Sequence, residues 1–381
     1  MAMKSSVAPP HRPRMQKRWF SSTLKLFDNF LENPMLATKA YSAKAPKTAL
    51  APFEIQRRNP GPHDVLFDVT YCGICHSDIH GVDGDFQGLR FPMVPGHEIV
   101  GRVKQVGSAV TQHKVGDTVA VGCIIDSCRE CAPCQHSEEQ FCAGGWTGTF
   151  GGFERDGKTP SYGGYSSQMT INERYVLKIS PKLDPAAAAP LLCAGITTYS
   201  PLKHWKVGKG SKIAVIGLGG LGHMAVKFAA AMGAEVTVLS TSDKKKADAN
   251  RLGAKAFAVT TDPETFTRLA NKFDLILNTV SSDIDYTAYL GLLNRDATLV
   301  ILGIPNAPVT LAAYGLLPQR RNLSASMIGG IKETQEMLDF CAEHGIVSDI
   351  EMIRMDQVNE AYARIMKSDV RYRFVIDMAT L

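Results

Sequence analysis

The sequence predicts an α/β protein with a β-rich domain and a second domain built on a doubly wound parallel sheet. Its 381 residues, 45% hydrophobic and 21% charged, suffice for two separate cores and exclude disordered and fibrous classes. Up to about residue 179 the chain reads as short strands broken by Gly, Pro and Asp. From residue 212 onward apolar strands alternate with helical segments, the pattern of βαβ units.

The β-rich half is predicted from short apolar runs at residues 64–70, 98–106 and 117–121. Apolar residues at 373–377 predict a last strand that returns to this domain. Between the two halves, an Ala-rich stretch over residues 184–199 predicts a helix.

The parallel sheet is predicted from strands at residues 213–216, 235–239, 274–277 and 298–302. One helix is predicted to run to residue 231 after the first of these strands, and another covers residues 333–345. Because strands and helices alternate, the sheet should be parallel with helices on its faces.

A glycine-rich turn follows the first strand of this sheet directly. Residues 217–222 read Gly217, Leu218, Gly219, Gly220, Leu221 and Gly222, which fits G-x-G-x-x-G. In this context the turn opens a helix whose N-terminal N–H groups can hold the pyrophosphate of a dinucleotide. A flexible turn without a ligand is the alternative.

The end of the next strand indicates which dinucleotide is bound. NAD sites place an acid about 20 residues beyond the glycines, on the ribose 2′-OH. Here the chain has Ser240, Thr241, Ser242 and Asp243, followed by the lysines at 244–246. Hydroxyls and lysines suit a 2′-phosphate. Asp243 is either a displaced NAD acid or a helix N-cap ahead of Lys244; we predict the cap, and NADP(H) as cofactor.

Four of the nine cysteines form one close cluster with C-x2-C-x2-C-x7-C spacing, made of Cys128, Cys131, Cys134 and Cys142. Four thiolates fill a tetrahedral Zn²⁺ shell and leave no position for substrate. The cluster therefore predicts a closed, structural zinc site.

A second, open zinc site is predicted from Cys75, His97 and Cys193, because two thiolates and one imidazole leave the fourth zinc position free for an alcohol or carbonyl oxygen. Each residue alone is more often structural, but the combination indicates an enzyme. Ser77 is predicted to relay a proton toward His80. Asp78 is predicted to orient His97 through its second ring nitrogen.

The net charge of +5 is concentrated at the N-terminus, since residues 1–34 carry +4 of it. The remainder is nearly neutral, which argues against a nucleic-acid partner. The segment is predicted to be a disordered extension or the product of an upstream in-frame start, with an organellar presequence as the alternative. A strand-like start follows at residues 38–42. No apolar run reaches the length of a membrane helix, and the cysteine pattern favours the cytoplasm.

Five motifs occur in a fixed order from residue 35 to the end. On these motifs the chain resembles the zinc-dependent medium-chain alcohol dehydrogenases, and within them the NADP-dependent, cinnamyl alcohol dehydrogenase-like branch. The motifs are Cys-Gly-Ile-Cys-His-Ser-Asp at 72–78, Pro-Gly-His-Glu at 95–98, the four-cysteine lobe at 128–142, Leu-Leu-Cys-Ala-Gly at 191–195 and Gly-Leu-Gly-Gly-Leu-Gly at 217–222.

The resemblance implies the domain organisation. A GroES-like catalytic domain would comprise residues 35–193 and 332–381, with the structural zinc lobe at 123–145. A Rossmann domain for NADP would comprise residues 194–331, with the active site in the cleft between the two. The resemblance also implies a homodimer, for which we expect an exposed edge strand near residues 299–303 to form the seam.

The resemblance assigns roles to single residues and implies two zinc ions per chain. The catalytic zinc ligands would be Cys75, His97 and Cys193, with Glu98 able to approach the metal and assist exchange at it. His76 and Arg373 would lie at the cofactor pyrophosphate. The 2′-phosphate would be contacted by Ser240, Thr241 and Lys245, although Thr241 stands where relatives often carry Ser or Arg.

The implied activity is reversible hydride transfer between NADPH and aromatic or medium-chain aldehydes. Trp146, Phe150 and Phe153 follow the zinc lobe and either line the substrate cleft or anchor their glycine-rich loop. Other readings are a polyol or other secondary-alcohol dehydrogenase of the same superfamily, a zinc-less quinone reductase, a noncatalytic crystallin-like relative and a zinc-ribbon nucleic-acid binder.

Overall fold

The computed structural model describes residues 35–305 and 307–381, so the basic extension predicted at 1–34 lies outside the described residues. The described residues form strands β1 Leu36–Ser42, β2 Ala51–Arg57, β3 Asp64–Gly73, β4 Ile99–Val106, β5 Thr118–Val121, β6 Ile124–Asp126, β7 Thr147–Gly148, β8 Gln168–Asn172, β9 Leu177–Lys178, β10 Lys212–Ile216, β11 Glu235–Ser240, β12 Ala256–Val259, β13 Phe273–Asn278, β14 Leu293–Ile301, β15 Asn322–Ala325, β16 Ile350–Arg354 and β17 Arg373–Asp377.

The α-helices are α1 His76–Asp83, α2 Ala132–Gln135, α3 Pro185–Ala188, α4 Ala194–His204, α5 Gly222–Ala231, α6 Lys246–Leu252, α7 Glu264–Arg268, α8 Tyr286–Leu290, α9 Ile331–His344 and α10 Val358–Met366. None of these described helices combines the length and the apolar character needed to cross a membrane.

A seven-stranded sheet forms the first layer of the molecule. Its order is β16, β17, β3, β4, β5 and β9, with β8 paired to β3. The C-terminal strand β17 pairs antiparallel with β3, at Ile376 against Cys72. The predicted return of the C-terminus to this sheet is therefore confirmed, and it brings Arg373 beside the motif that contains Cys75.

A six-stranded sheet in the order β12, β11, β10, β13, β14, β15 forms the second layer. All its neighbouring strands are parallel. In this doubly wound topology the strand order reverses at β10, and the carboxyl end of that strand is the expected place for a dinucleotide. The predicted combination of a β-rich domain with a doubly wound parallel sheet is confirmed.

Two sequence expectations differ from the structure here. The helix predicted over residues 184–199 is divided into α3, a 3-10 turn at Ala189–Leu192 and α4. Cys193 stands at the break, as the residue before α4, and its backbone is not helical, with φ −128° and ψ −69°. The expectation of an edge strand near residues 299–303 is wrong, because β14 is paired on both sides and β15 forms the edge.

Candidate active site

One cleft, lined by residues of both sheets, contains most of the predicted site. Cys75, His97 and Cys193 line it from the first layer, and Gly219 and Gly220 line it from the second. The thiol pair and the glycine turn therefore face the same space.

The donor atoms of Cys75, His97, Glu98 and Cys193 all lie within 4.8 Å of one another. The two sulfur atoms are 3.7 Å apart. In a tetrahedral zinc site with Zn–S bonds of about 2.3 Å, sulfur atoms are separated by about 3.8 Å. Both the spacing and the chemistry of this donor set therefore fit a zinc ion.

Asp78 is fully buried and joins three parts of this cluster. Its carboxylate accepts hydrogen bonds from the Cys75 backbone N–H at 2.8 Å and the Gly96 N–H at 3.0 Å. It also lies 3.0 Å from Nδ1 of His97. Since Nδ1 is engaged, Nε2 is the nitrogen of His97 that is left for a metal. This contact is one that an orienting role of Asp78 requires, and the role itself stays a prediction.

Glu98 and Arg373 form a fully buried ion pair, in which a guanidinium N–H donates to Oε1 of Glu98. Within the described residues, Oε2 of Glu98 is buried without a hydrogen-bond partner. Burial raises the pKa of Glu98 to about 7, although Arg373 opposes the shift. An unpartnered carboxylate oxygen beside two thiols is a further observation that fits a metal at this place.

Gly73 and Gly220 allow this ion pair to be formed. A Cβ at residue 73 would stand 2.1 Å from Oε2 of Glu98, and one at residue 220 would stand 2.8 Å from Nη1 of Arg373. Side chains at these two positions would displace the carboxylate and the guanidinium. Arg373 therefore touches both the acid of the metal cluster and the glycine turn.

Ser77 and His80 lie on α1 beside the cluster. The Ser77 hydroxyl is 3.1 Å from the Cys75 sulfur. The His80 ring stacks on His76 with centroids 4.8 Å apart, and its Nδ1 lies 2.7 Å from a carboxylate oxygen of Asp85. No hydrogen bond joins Ser77 directly to His80 in the described part of the chain, so the relay remains a prediction. The sequence analysis missed Asp85, although it lies just beyond the C-terminal end of α1.

The four clustered cysteines lie on a separate lobe. Sulfur separations are 3.8 Å for Cys128 and Cys134 and 4.0 Å for Cys131 and Cys142. Backbone N–H groups of Cys128 and Cys131 point at sulfur atoms of the same cluster, at 3.3 and 3.4 Å. Four converging thiols fit a closed zinc site.

This lobe is attached to the rest of the molecule at α9. The Glu139 carboxylate accepts a hydrogen bond from the backbone N–H of Ile331, at 2.9 Å. A Cβ at residue 330 would stand 1.8 Å from the Ser137 carbonyl oxygen. The lobe therefore packs directly against the N-terminal end of α9.

The glycine turn has the conformation that its sequence predicts. Gly217 has φ +86°, in the left-handed region, and a Cβ at residue 222 would stand 2.3 Å from the Gly217 carbonyl oxygen. The turn leads from β10 into α5. Together with His76 and Arg373 across the cleft, Gly219, Gly220 and Leu221 line the space at the N-terminus of α5.

The predicted 2′-phosphate residues lie at the end of β11. Ser240 is the last residue of that strand, Thr241 is exposed, and Lys245 donates a hydrogen bond to the Leu218 carbonyl at 2.8 Å. Lys245 also lines the cleft. The interpretation of Asp243 as a helix N-cap is wrong. A 3-10 turn intervenes at Asp243–Lys245, the helix begins at Lys246, and the Asp243 side chain is exposed.

The three aromatic residues after the zinc lobe have different positions. Trp146 and Phe150 line the cleft, and the Phe150 ring lies 5.7 Å from the ring of His97. Phe153 instead packs under the Arg90 guanidinium, 4.3 Å from the ring centroid. Cys123, which the sequence analysis did not assign, also lines the cleft. The wall next to the metal cluster is therefore largely apolar.

Two family models match the chain. An alcohol dehydrogenase GroES-like domain matches residues 61–181, and a zinc-binding dehydrogenase domain matches residues 220–343. A relative named NADP-dependent alcohol dehydrogenase C 1, from Mycolicibacterium smegmatis, is 59% identical over 91% of this chain and 99% of its own. The aldehyde reductase YahK of Escherichia coli is 51% identical over 91% and 98%.

A solved structure of the same enzyme class is also similar to this chain. The cinnamyl alcohol dehydrogenase of Helicobacter pylori, described as complexed with NADP(H), is 40% identical, with a TM-score of 0.84 over 91% of this chain and 99% of that one. The chain therefore belongs to the zinc-dependent medium-chain alcohol dehydrogenase family, in the branch that contains NADP-dependent alcohol dehydrogenases and cinnamyl alcohol dehydrogenases.

Proposed function

We propose that this protein is a zinc-dependent alcohol dehydrogenase and aldehyde reductase that uses NADP(H). The observation that carries the proposal is that one cleft contains both an open thiol and imidazole donor set and a dinucleotide-binding turn. Arg373 lies between the two, since its guanidinium donates to Glu98 and its side chain fills the space that a Cβ at Gly220 would need. The names of the relatives support the same reaction class.

Two zinc ions per chain would be held. The catalytic ion would be bound by Cys75, His97 and Cys193, with Glu98 as an approaching fourth ligand, and the structural ion by Cys128, Cys131, Cys134 and Cys142. The catalytic ion supplies a Lewis acid that polarises a carbonyl oxygen or stabilises an alkoxide. Asp78 fixes the orientation of His97, and the Arg373 charge holds Glu98 beside the thiols.

NADP(H) would lie along the carboxyl edge of the parallel sheet and supply or accept the hydride. Gly217, Gly219, Gly220, Leu221 and Gly222 would cradle its pyrophosphate at the N-terminus of α5, with His76 and Arg373 opposite. Its 2′-phosphate would be held by Ser240, Thr241 and Lys245.

Proton transfer to and from the substrate would be carried by two side chains of α1, Ser77 and His80. Ser77 places a hydroxyl beside the metal cluster, where it can donate a proton to the substrate oxygen or accept one from it. Asp85 engages Nδ1 of His80, which fixes the ring and leaves Nε2 free for the next proton transfer.

Trp146 and Phe150 make the inner wall of the cleft apolar, which favours aromatic or medium-chain aldehydes as substrates.

An assay of purified, zinc-loaded protein tests this proposal. We expect rapid reduction of cinnamaldehyde, benzaldehyde and a medium-chain aliphatic aldehyde with NADPH, and a kcat/KM with NADH lower by about 10²-fold, because the Lys245 contact would be lost. Turnover with NADH alone would show that Asp243 serves as a ribose acid. Inactivity with both cofactors, together with activity on polyols, would contradict the aldehyde assignment.

We also propose that the chain forms a homodimer through the open edge of the parallel sheet. In the described residues β15 has no strand on its outer side. Large apolar side chains near this edge are exposed, with Tyr314 at 77%, Leu317 at 70% and Ile304 at 64%. An apolar sheet edge of this kind fits a second copy of the same surface.

Light scattering after gel filtration tests the assembly. We expect the mass of two chains for the wild-type protein and of one chain for Leu317→Asp, because a carboxylate would be buried unpaired in the interface. Val115→Asp is the control, because Val115 is exposed and lies between β4 and β5, in the other sheet's domain. This variant should remain dimeric. A monomeric wild-type protein would contradict the proposal.

We further propose that the protein works in the cytoplasm. All nine cysteines are free thiols. Six of them belong to the two four-residue donor sets, and these need reduced sulfur to hold zinc, which a reducing compartment maintains.

A further inference from the structure

Three consecutive residues ahead of and within β17 reach from the first layer into the cofactor side of the cleft. The Arg371 guanidinium pairs with the Asp248 carboxylate on α6. The Tyr372 hydroxyl donates to the same carboxylate, at 2.9 Å. The Arg373 side chain lies over Gly220, where a Cβ would stand 2.8 Å from its Nη1. The start of the strand that pairs with β3 is therefore tied to the Rossmann side at two places, α6 and the glycine turn.

The Tyr372 ring is held on two sides. One face stacks on His223, with centroids 5.0 Å apart and an angle of 10° between the rings. His223 is buried, and burial lowers its pKa to about 3, so this ring is neutral. On Tyr372, Nζ of Lys245 lies 5.6 Å from the ring centroid, within the range of a cation–π interaction. Only 2% of Tyr372 is exposed, so its ring has little freedom.

These contacts restrict Lys245. Among the described residues, its ammonium group donates a hydrogen bond to the Leu218 carbonyl, within the glycine turn, and lies near the Tyr372 ring. The neighbouring lysines 244 and 246 are exposed, whereas Lys245 is half-buried. A lysine whose four-carbon stem is already ordered loses less entropy when it meets an anion.

The charged groups around Lys245 favour the binding of an anion, because the acid Asp248 is itself paired. Asp248 would repel a phosphate, but Arg371 and the Tyr372 hydroxyl both bind its carboxylate, and Arg251 lies 3.8 Å away. Lys245 therefore keeps its charge available for a phosphate, because Asp248 is paired with other groups.

We propose that Tyr372 is a positioning residue for cofactor selectivity, whose ring holds the Lys245 ammonium group where the 2′-phosphate of NADP(H) binds. The GroES-like part of the chain would thus contribute to a choice that is usually assigned to the Rossmann sheet alone. This inference rests on the proposed use of NADP(H). It predicts that the ring, rather than the hydroxyl, sets the preference for the phosphate.

Calorimetric titration with adenosine 2′,5′-bisphosphate and with 5′-AMP tests the inference without catalysis. The Kd for 5′-AMP divided by the Kd for the bisphosphate measures the contribution of the 2′-phosphate. We expect Tyr372→Leu to lower this ratio by about three- to tenfold, because an unordered lysine must be fixed on binding. Tyr372→Phe keeps the ring, and Arg371 still pairs with Asp248, so this variant should retain the wild-type ratio within about twofold. The Kd for 5′-AMP should be unchanged in both variants.

A series of fluorinated rings at position 372 tests the same point without the cavity that Tyr372→Leu would leave. Phenylalanine with one to four ring fluorines at position 372 keeps the shape of the ring while weakening its negative face, so the ratio should fall stepwise. In a Lys245→Met background the same series should have no effect. A ratio that stays constant through the series, or that falls equally in Tyr372→Phe and Tyr372→Leu, would overturn the inference. A wild-type ratio near one would instead refute the proposed NADP preference itself.

Discussion

Replacing Ser77 with alanine is expected to lower kcat for aldehyde reduction by about 10²- to 10⁴-fold, the usual contribution of a positioned proton donor. The hydroxyl stands 3.1 Å from the Cys75 sulfur, at the metal cluster, and no second hydroxyl is among the described residues that contact that sulfur. Binding of NADPH should change by no more than about twofold, since Ser77 has no part in the glycine turn. Stopped-flow turnover and fluorescence titration of NADPH give the two quantities.

Ser77→Thr is the matched control, because it retains the hydroxyl on the same helix and should keep most of the turnover. Zinc content must be measured in each variant, since a lost ion would mimic a lost proton donor. If turnover and NADPH affinity fall by the same factor, Ser77 supports the structure of the site and does not relay a proton.

Much of the fold could be predicted because it is specified by local patterns. The alternation of strands and helices after residue 212 and the glycine turn at 217–222 both have short-range causes in the sequence. The edge of the parallel sheet was misplaced for the opposite reason. β15 follows β14 only after a long irregular segment, and its four residues have little periodicity of their own. Which strand is outermost depends on packing.

The site shows the same division. Motif spacing identifies the cysteines and His97, and these do converge. The pairing of Asp85 with His80 and the contacts of Tyr372 with His223 and Lys245 are set by the fold. Tyr372 and Lys245 are 127 positions apart and meet only because β17 returns to the first sheet. No local sequence pattern predicts their contact.

The failed prediction for Asp243 has a local cause. An acid ahead of three lysines is typical of a helix N-cap, but the chain first makes a 3-10 turn at Asp243–Lys245. That turn places Lys245 at the N-cap position of α6, with its side chain directed to the Leu218 carbonyl. Lys245, the second lysine after Asp243, thus occupies the cap position, next to the glycine turn.

Cys128→Ser is expected to remove the structural zinc and to destabilise the protein strongly while the catalytic donors remain intact. Zinc content should fall from about two to about one ion per chain, because a serine hydroxyl is a poor replacement for one of four thiolates. Metal binding of this kind contributes on the order of 10 kcal/mol to folding, so Tm should drop by about 10 °C or more. Elemental analysis and calorimetric melting measure the two effects.

The loss should also reach the active-site cleft, because the lobe is fastened to α9 by Glu139 and by the close approach of Ser137 to Gly330. Residues just ahead of α9, Met327 and Ile328, line the cleft, so a loosened lobe should raise KM for aldehyde before it lowers kcat. Cys341→Ser is the matched control, since Cys341 belongs to neither four-residue donor set and is not among the residues that line the cleft, so the zinc content should be unchanged. A Cys128→Ser protein that had lost one zinc ion but kept its wild-type Tm and full activity would refute the structural role of the lobe.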